Sequence, residues 1–470
     1  MLFHTLDFAF FFVAVYLVYR YFPEARAHIL LLGSLFFYGY WNPRILALLF
    51  ATVGINYFCA LWIETAANSR SRKLALALAL LANFSLLGVF KYYGFFVESL
   101  TLLLNQFNLR PGLPVLEILL PAGISFYTFE LTSYTVDVYR GMKAERSFPR
   151  LLLFATFFPK MMAGPIARAG QLLPQLASPQ IKPGAFMEGS TLALLGLFKK
   201  VVIADQLALT VNRLLGNTHA PATLAQVSFR SDLDAVSLIL AGSFFAVQIY
   251  ADFSGYSDMA RGMSRMLGIE LVRNFEHPFL SSNPAEFWRR WHITLGAFLR
   301  DYVYIPLGGS RVKAWVQARN VMIVWALGGL WHGASIGYLV WGIYCGALVV
   351  LYQILRPLLS RTGKPGANTG CLITFLSFGL GLMIFRIGTP GALLSVLGTW
   401  RLPDFTLNDL FALLLCFPFF ISHAISDGRE TIEHLQRLPW PIKALMVNTM
   451  FYIFLFIGRF QGEEFFYFRF

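Results

Sequence analysis

The feature that most limits the fold of this chain is a succession of apolar runs. Each is roughly 20 residues long, which is enough for a helix to cross the hydrocarbon core of a bilayer. Only 13% of the 470 residues are charged, against about 25% in a typical soluble domain. The sequence therefore predicts an all-α polytopic membrane protein with about ten to twelve transmembrane or re-entrant helices. We expect them near residues 5–22, 28–41, 45–66, 74–97, 118–138, 186–212, 235–257, 320–335, 336–355, 370–388, 405–425 and 441–460.

Two stretches between these runs are unusual. Residues 258–319 are rich in Arg, Trp and Tyr, which favours amphipathic helices lying along the cytoplasmic interface. Residues 154–165 hold two prolines and a glycine among apolar side chains, which indicates irregular backbone buried within the protein. No hydrophilic stretch is long enough for a separate soluble domain. We therefore expect one membrane-embedded domain over residues 1–470.

Basic residues in the short loops between the apolar runs are the simplest explanation of the formal net charge of +13. Basic residues cluster after the first, third and fifth predicted spans, whereas the connection at 98–117 carries only Arg110. By the positive-inside rule, this alternation predicts cytoplasmic basic loops and an N-terminus on the opposite, periplasmic side. No recognition helix or aromatic RNA-binding motif accompanies the charge, so we expect lipid rather than nucleic acid as its partner.

The histidine at position 332 is the leading candidate for chemistry. It lies within Trp331-His332-Gly333, about a dozen residues into an apolar stretch that begins near Val321. At about 1.5 Å per residue, a spanning helix would place this imidazole near the middle of the bilayer. Ionisable groups at that depth usually serve function, and histidine exchanges protons near neutral pH. The alternative is a structural histidine bonded to a neighbouring helix.

A second candidate region runs from Glu286 to Gly309 and contains His292. If it is helical, Glu286 and Arg290 are i,i+4 partners, as are Trp288 and His292. An ordinary basic and aromatic interface helix is the alternative.

Upstream, Asp252 and Tyr256 share a helical face, and Asp258 is spaced to pair with Arg261. Asp252 could orient a histidine or neutralise a nearby cation.

Several polar groups fall within apolar runs, where we expect them to form ion pairs, with Lys199 and Lys200 also able to snorkel to the interface. They are Glu130, Asp137, Lys160, Lys199, Lys200 and Asp205.

Together these residues resemble the membrane-bound O-acyltransferases. The two histidine motifs, Trp288-Arg-Arg-Trp-His292 and Trp331-His332-Gly333, lie about 40 residues apart inside a largely apolar chain. Further blocks resemble the bacterial branch of the family that acetylates alginate. These are Gly123–Glu130, Asp137–Gly141, Phe158–Ile166, Phe198–Asp205, Asp252–Met259, Tyr304–Gly309 and the aromatic tail Phe465–Phe470.

The resemblance implies a ring of helices around a central chamber with a funnel from the cytoplasm. His332 would be catalytic and His292 its partner, with no bound cofactor or metal. Acetyl-CoA would be the donor, attracted by basic residues of the 258–319 segment. The residues implied as supporting or donor-binding are Asp252, Tyr256, Asp258, Trp288, Arg289, Arg290, Arg300, Asp301 and Trp331.

By the same resemblance, the protein would be an O-acetyltransferase of the bacterial inner membrane. It would pass acetyl groups to an exported periplasmic acyltransferase or acyl carrier, working with the machinery that makes and exports an exopolysaccharide such as alginate or cellulose. The alternatives are a transporter and a scaffold of an export complex, neither with chemistry of its own. Broken helices and embedded charges also suit transporters.

Overall fold

The computed structural model of the protein is built from α-helices with short π- and 3₁₀-helical segments. It describes residues 1–109, 123–162, 164–215, 233–362, 366–387, 406–425 and 438–459, and the single positions 112, 121, 396, 398 and 400. No β-strand occurs in these ranges. The predicted all-α class is therefore confirmed, whereas the aromatic tail at 465–470 lies outside the described residues.

The helices follow the predicted apolar runs closely. Up to residue 198 they are α1 (Leu6–Tyr21), α2 (Arg26–Gly39), α3 (Pro43–Thr65), α4 (Ser69–Leu87), α5 (Tyr93–Gln106), α6 (Ile124–Tyr139), α7 (Phe148–Thr156), α8 (Phe158–Met161), α9 (Ala169–Ala177) and α10 (Ala185–Phe198). Beyond it they are α11 (Asp205–Leu215), α12 (Ala235–Met266), α13 (Pro284–Arg290), α14 (Ile293–Leu299), α15 (Ala314–His332), α16 (Ile336–Thr362), α17 (Ala367–Ile387), α18 (Leu407–Ile425) and α19 (Trp440–Ile457).

Six helices within the described ranges are long and apolar enough to cross a membrane. They are Pro43–Thr65, Ser69–Gln106, Ala235–Met266, Ile336–Leu359, Ala367–Ile387 and Trp440–Ile457. A further pair, Leu6–Tyr21 with Pro23–Gly39, passes the same test together but is bent by 116°, as in a broken span or a re-entrant loop. The chain is therefore a multi-pass membrane protein. Because α15 is not among the six, the mid-bilayer depth of His332 stays a prediction, as does the total helix count.

The chain divides into two compact units. The first comprises Met1–Leu194 and Tyr256–Val272, and the second comprises Leu195–Gly255 and Arg273–Phe470. The long helix α12 contributes residues to both. The assignment of 1–470 to one membrane-embedded domain stays a prediction, and so does the central chamber.

The segment predicted to lie along the interface from residue 258 begins differently in the structure. Helix α12 continues unbroken to Met266, and only after residue 284 do the short helices α13 and α14 follow. The apolar run up to residue 257 underestimates the helix because its last turns carry polar and charged residues on one side. Arg261 and Asp258 lie there within 3.7 Å of each other, as their spacing predicts.

Buried charges are paired in both units. In the first, Lys160 binds the Glu130 carboxylate, which also accepts a hydrogen bond from the backbone of Ala167 at 3.0 Å. In the second, Lys200 Nζ lies 2.8 Å from Asp205 Oδ1 and 3.0 Å from Asp252 Oδ1. Lys200 therefore forms the expected ion pairs and does not snorkel to the interface, because two carboxylates compensate its charge inside the protein. The expected mutual ion pairing is confirmed for Glu130, Lys160, Lys200 and Asp205.

Candidate active site

His332 is the last residue of α15, within the second unit. Gly333 follows it directly, and a Cβ atom at this glycine would lie 2.1 Å from Cε2 of Tyr338. That distance is far below van der Waals contact. The ring of Tyr338 therefore packs against bare backbone immediately after the histidine, and only glycine fits there.

The helix pair α15 and α16 is held close by two more glycines. A Cβ at Gly329 would lie 2.2 Å from the carbonyl oxygen of Tyr338, and one at Gly342 would lie 2.2 Å from that of Trp325. Small residues allow helix backbones to approach at this distance, as is common in membrane proteins. The glycines thus bring the end of α15, with His332, against the start of α16.

Three aromatic side chains surround the imidazole of His332. Its ring centroid lies 5.0 Å from that of Trp331, 5.1 Å from Trp341 and 5.5 Å from Phe385. The interplanar angles of 79°, 89° and 82° make all three contacts edge-to-face. Such contacts have a preferred geometry, so together they fix the plane of the ring. The His332 side chain is only 6% exposed.

His292 lies at a break in the backbone between α13 and α14. It has φ 45° and ψ 53°, the left-handed region that residues other than glycine rarely adopt. Two backbone hydrogen bonds stabilise this conformation, from Ile293 N to Asn274 O and from Glu276 N to Arg290 O, both 2.9 Å long. Strained backbone of this kind often occurs at functional sites.

The break corrects one prediction from the sequence. Because α13 ends at Arg290 and His292 is left-handed, Trp288 and His292 are not i,i+4 partners on one helix. Glu286 and Arg290, which lie within α13, do pair at 2.8 Å as expected. Trp288 instead packs on Trp325, with ring centroids 4.3 Å apart.

The imidazole of His292 is held through one nitrogen. Its Nδ1 lies 3.1 Å from Oδ1 of Asn274, an oxygen that also accepts from the backbone N–H of Thr294 at 3.3 Å and its hydroxyl at 2.9 Å. An oxygen that accepts from a backbone amide must also accept from the histidine, so Nδ1 carries the proton. Nε2, buried and without a hydrogen-bond partner among the described residues, is left with its lone pair.

Burial determines the charge state of His292, which lies outside the six candidate spans. Its side chain is 3% exposed and is surrounded by the rings of Phe253, Phe275 and Trp331, none of which titrates near neutral pH. Removal from water lowers the pKa of His292 from 6.5 to about 3. The ring is therefore neutral at physiological pH, and Nε2 carries no proton.

Trp331 contacts both histidines. Its ring centroid is 5.7 Å from that of His292 and 5.0 Å from that of His332. The structure therefore brings together three of the residues selected from the sequence, His292, Trp331 and His332, in one buried cluster of the second unit.

The other predicted residues occupy different surroundings. Asp252 contacts Lys200, so it neutralises a cation, the second of its two predicted roles. Tyr256 and Asp258 belong to the first unit, where the Tyr256 hydroxyl is hydrogen-bonded to Nδ1 of His4 at 2.9 Å. Arg300 pairs with its neighbour Asp301 at 2.8 Å on the protein surface. Arg289 is exposed and makes no ion pair with a described residue.

Sequence reasoning did not select several residues of the cluster. Asn274 holds His292, Thr294 donates to the Asn274 oxygen, and Phe385 and Tyr338 enclose the end of α15. Thr294 lies two positions from the histidine and could have been found from the motif itself. Asn274 and Phe385 have no such signal, because their proximity depends on the tertiary fold.

Comparison with known proteins identifies the class of this chain. A sequence profile of the membrane-bound O-acyltransferase family matches residues 35–385. The probable alginate O-acetylase AlgI of Azotobacter vinelandii is 37% identical over 421 residues, covering 87% of this chain and 80% of the relative. The corresponding protein of Pseudomonas aeruginosa is 35% identical over 421 residues, covering 87% and 78%. A peptidoglycan O-acetyltransferase of Helicobacter pylori is 36% identical over 359 residues, covering 69% and 64%.

A buried histidine pair on a polytopic helical scaffold, together with these matches, defines a membrane acyltransferase. The chain belongs to the membrane-bound O-acyltransferase family. The family assignment disfavours a transporter or scaffold without chemistry. Within the described part of the chain, no three His, Cys, Asp or Glu side chains are grouped so that they could hold a metal ion.

Proposed function

We propose that this protein takes acetyl groups from cytoplasmic acetyl-CoA and passes them across a bacterial inner membrane for O-acetylation of an exopolysaccharide. The observation that carries the proposal is the buried cluster of His292, Trp331 and His332 in a chain of an acyltransferase family. His332 is the catalytic residue and His292 its partner. The relatives named alginate O-acetylase support a polysaccharide as the final acceptor.

In the transfer step, His332 serves as both the base and the acid. The acceptor hydroxyl oxygen attacks the thioester carbonyl carbon while His332 accepts the hydroxyl proton. The carbon–sulfur bond then breaks, and the imidazolium returns the proton to sulfur, so that CoA leaves as the thiol. A positioned general base contributes about 10²–10⁴-fold to such a rate. A transient acetyl-histidine gives the same products by two successive transfers.

The surroundings of His332 suit this chemistry. Its three aromatic neighbours exclude water, which protects a bound thioester from hydrolysis. Because the ring is 6% exposed, the proposal requires side chains around it to move when donor and acceptor enter. We place the acceptor on an exported acyltransferase or acyl carrier, which delivers acetyl to alginate, cellulose or a similar polymer outside the membrane.

Donor binding is assigned to the basic residues near the first histidine motif. Arg289, Arg311 and Lys313 are exposed and make no ion pair with a described residue, so they are available to CoA phosphates. Arg290 and Arg300 are already paired with Glu286 and Asp301. In this proposal the basic loops and Arg289 face the cytoplasm, and the N-terminus faces the periplasm.

The proposal is tested with the purified protein in lipid nanodiscs and isotopically labelled acetyl-CoA. His332→Ala should abolish acetyl transfer and acetyl-CoA hydrolysis, and in cells it should abolish polymer acetylation at an unchanged protein level. His28→Ala, at an exposed histidine, is the matched control and should behave as the parent. Normal acetylation by His332→Ala would refute the assignment.

The polymer and the donor site are tested separately. The acetate ester that disappears from cell-surface polysaccharides on deletion of the gene identifies the acceptor polymer.

Arg289→Ala should raise the KM for acetyl-CoA in low salt and leave kcat near its parent value. An unchanged KM in low salt would remove Arg289 from the donor site.

A further inference from the structure

Asn274 is the one polar side chain in the described structure that hydrogen-bonds the imidazole of His292. Its Oδ1 accepts from Nδ1 at 3.1 Å, and the same oxygen is fixed by two donors of Thr294, at 2.9 and 3.3 Å. Asn274 is 1% exposed. A buried oxygen that accepts three hydrogen bonds has no freedom to rotate, since each lost bond would leave a buried donor unsatisfied.

The backbone around Asn274 reinforces the same arrangement. Its carbonyl oxygen accepts from Ile293 N, and two residues later Glu276 N donates to Arg290 O. These bonds clamp the chain on both sides of His292 while that residue remains in its left-handed conformation. One residue thus holds both the backbone and the ring of the histidine.

We propose that Asn274 is a positioning residue that keeps the proton of His292 on Nδ1 and so presents the Nε2 lone pair to the reaction. This inference rests on the role given to His292 under the proposed function. When an acceptor binds one ring nitrogen of a histidine, that hydrogen bond determines the tautomer and the direction of the other nitrogen. Asn274 acts through His292 and touches no reacting atom.

Among the described residues, no charged side chain contacts the ring and could serve instead. Its contacts are Phe253 from α12, Phe275 from the segment between α12 and α13, and Trp331 from α15. Thr294 on α14 contacts Asn274 Oδ1. None of these four side chains titrates near neutral pH. The tautomer of His292 therefore depends on the Asn274 oxygen.

Two substitutions of Asn274 separate positioning from simple packing. Asn274→Leu keeps a similar volume but removes the acceptor, and it should lower kcat by more than about tenfold, beyond the loss of a single neutral hydrogen bond, with little change in KM. Asn274→Asp keeps an acceptor for Nδ1–H and for Thr294, so it should retain most of the activity. Its carboxylate stabilises the imidazolium, so the acid limb of the kcat/KM profile should move to higher pH.

The matched control is Thr294→Val, which removes one donor to the same oxygen without touching His292. It should leave kcat within about tenfold of the parent, since a single neutral hydrogen bond contributes about 0.5–1.5 kcal/mol. If Asn274→Leu fails to fold, the pH profile of Asn274→Asp still tests whether the side chain at position 274 acts through His292. A purely structural Asn274 would give that variant an unshifted acid limb.

A direct readout comes from the ring nitrogens of ¹⁵N-histidine-labelled protein, with His292→Gln used to assign the signals. The parent should show a protonated Nδ1 and an unprotonated Nε2, and Asn274→Leu should lose that pattern. Full activity with an unchanged pH profile in folded Asn274→Leu would overturn the inference. If His292→Gln itself keeps full turnover, the proposed role of His292 fails. If His292→Gln is impaired but Asn274→Leu is not, only the positioning role of Asn274 is contradicted.

Discussion

His292 and His332 are both buried in the second unit, but different forces hold them. His332 ends a helix and is enclosed by three aromatic rings on a glycine-lined helix pair. His292 lies at a strained break and is held by a hydrogen bond to Asn274. Aromatic edges fix the plane of a ring, whereas a hydrogen bond also determines which nitrogen carries the proton. The aromatic contacts therefore orient the ring of His332, and the hydrogen bond to Asn274 selects the tautomer of His292.

The largest expected effect comes from replacing the two histidines, and it tests whether they act together in catalysis. His332→Gln and His292→Gln should each lower kcat by about 10²–10⁴-fold. The double variant should be no slower than the worse single variant, because residues of one catalytic unit are strongly non-additive. Single-turnover transfer from labelled acetyl-CoA measures all three.

Multiplicative losses in the double variant would contradict the coupling. The histidines would then serve separate steps, and Trp331 would be a packing residue rather than a link between them. Trp331→Phe, which keeps an aromatic ring at this position, is the matched control and should retain most of the turnover.

The next largest effect tests the packing that holds His332. Gly333→Ala places a Cβ about 2.1 Å from the Tyr338 ring, so the end of α15 must shift. A displacement of roughly 1 Å at a reacting group can reduce kcat by about 10²-fold. Gly54→Ala, in a helix where no atom lies within 4 Å of the new Cβ, is the control and should leave turnover unchanged. Parent-like kcat in Gly333→Ala would mean that the Tyr338 contact does not position the histidine.

The burial of His292 has a signature in the pH dependence of the stability of the protein. Its pKa is lowered to about 3 in the folded protein, so below pH 6.5 the unfolded chain binds a proton that the folded chain does not. Stability is therefore full above pH 6.5 and decreases as the pH falls, by up to about 1.4 kcal/mol per pH unit from this group. Thermal unfolding in detergent between pH 7 and pH 4 should show a smaller loss of Tm for His292→Gln than for the parent. Parallel curves would contradict a buried, neutral His292.

Much of the fold could be predicted because membrane helices leave a strong local signal. The run predicted at 370–388 corresponds to α17, Ala367–Ile387, and that at 45–66 to α3, Pro43–Thr65. The ion pairs Glu130–Lys160 and Asp258–Arg261 also follow from the rule that charges in apolar surroundings find partners. The length of α12 could not be predicted, because its last turns are polar where hydropathy alone ends the helix.

The candidate site was predicted only in part. The motifs around His292 and His332 identify the histidines, but the spacing of Trp288 and His292 predicted one continuous helix where the backbone breaks. The left-handed conformation at His292 is stabilised by hydrogen bonds from Ile293 N to Asn274 O and from Glu276 N to Arg290 O, and no local pattern encodes such contacts. Likewise, an ion pair was expected for Lys200, but its partner Asp252 lies 52 positions away in the sequence, so the local pattern could not identify it.

The smallest predicted effect separates ring orientation from ring enclosure at His332. Phe385 meets the imidazole edge-to-face at 5.5 Å and also packs on Tyr338 at 4.7 Å. Phe385→Leu keeps an apolar group but removes the aromatic edge, a loss of about 0.5–1.5 kcal/mol, which corresponds to a decrease in kcat of up to about tenfold. Phe58→Leu, at a side chain that is 69% exposed, is the control. A decrease as large as that of His332→Gln would show that Phe385 does more than orient the ring, and no decrease would leave Trp331 and Trp341 as sufficient to fix its plane.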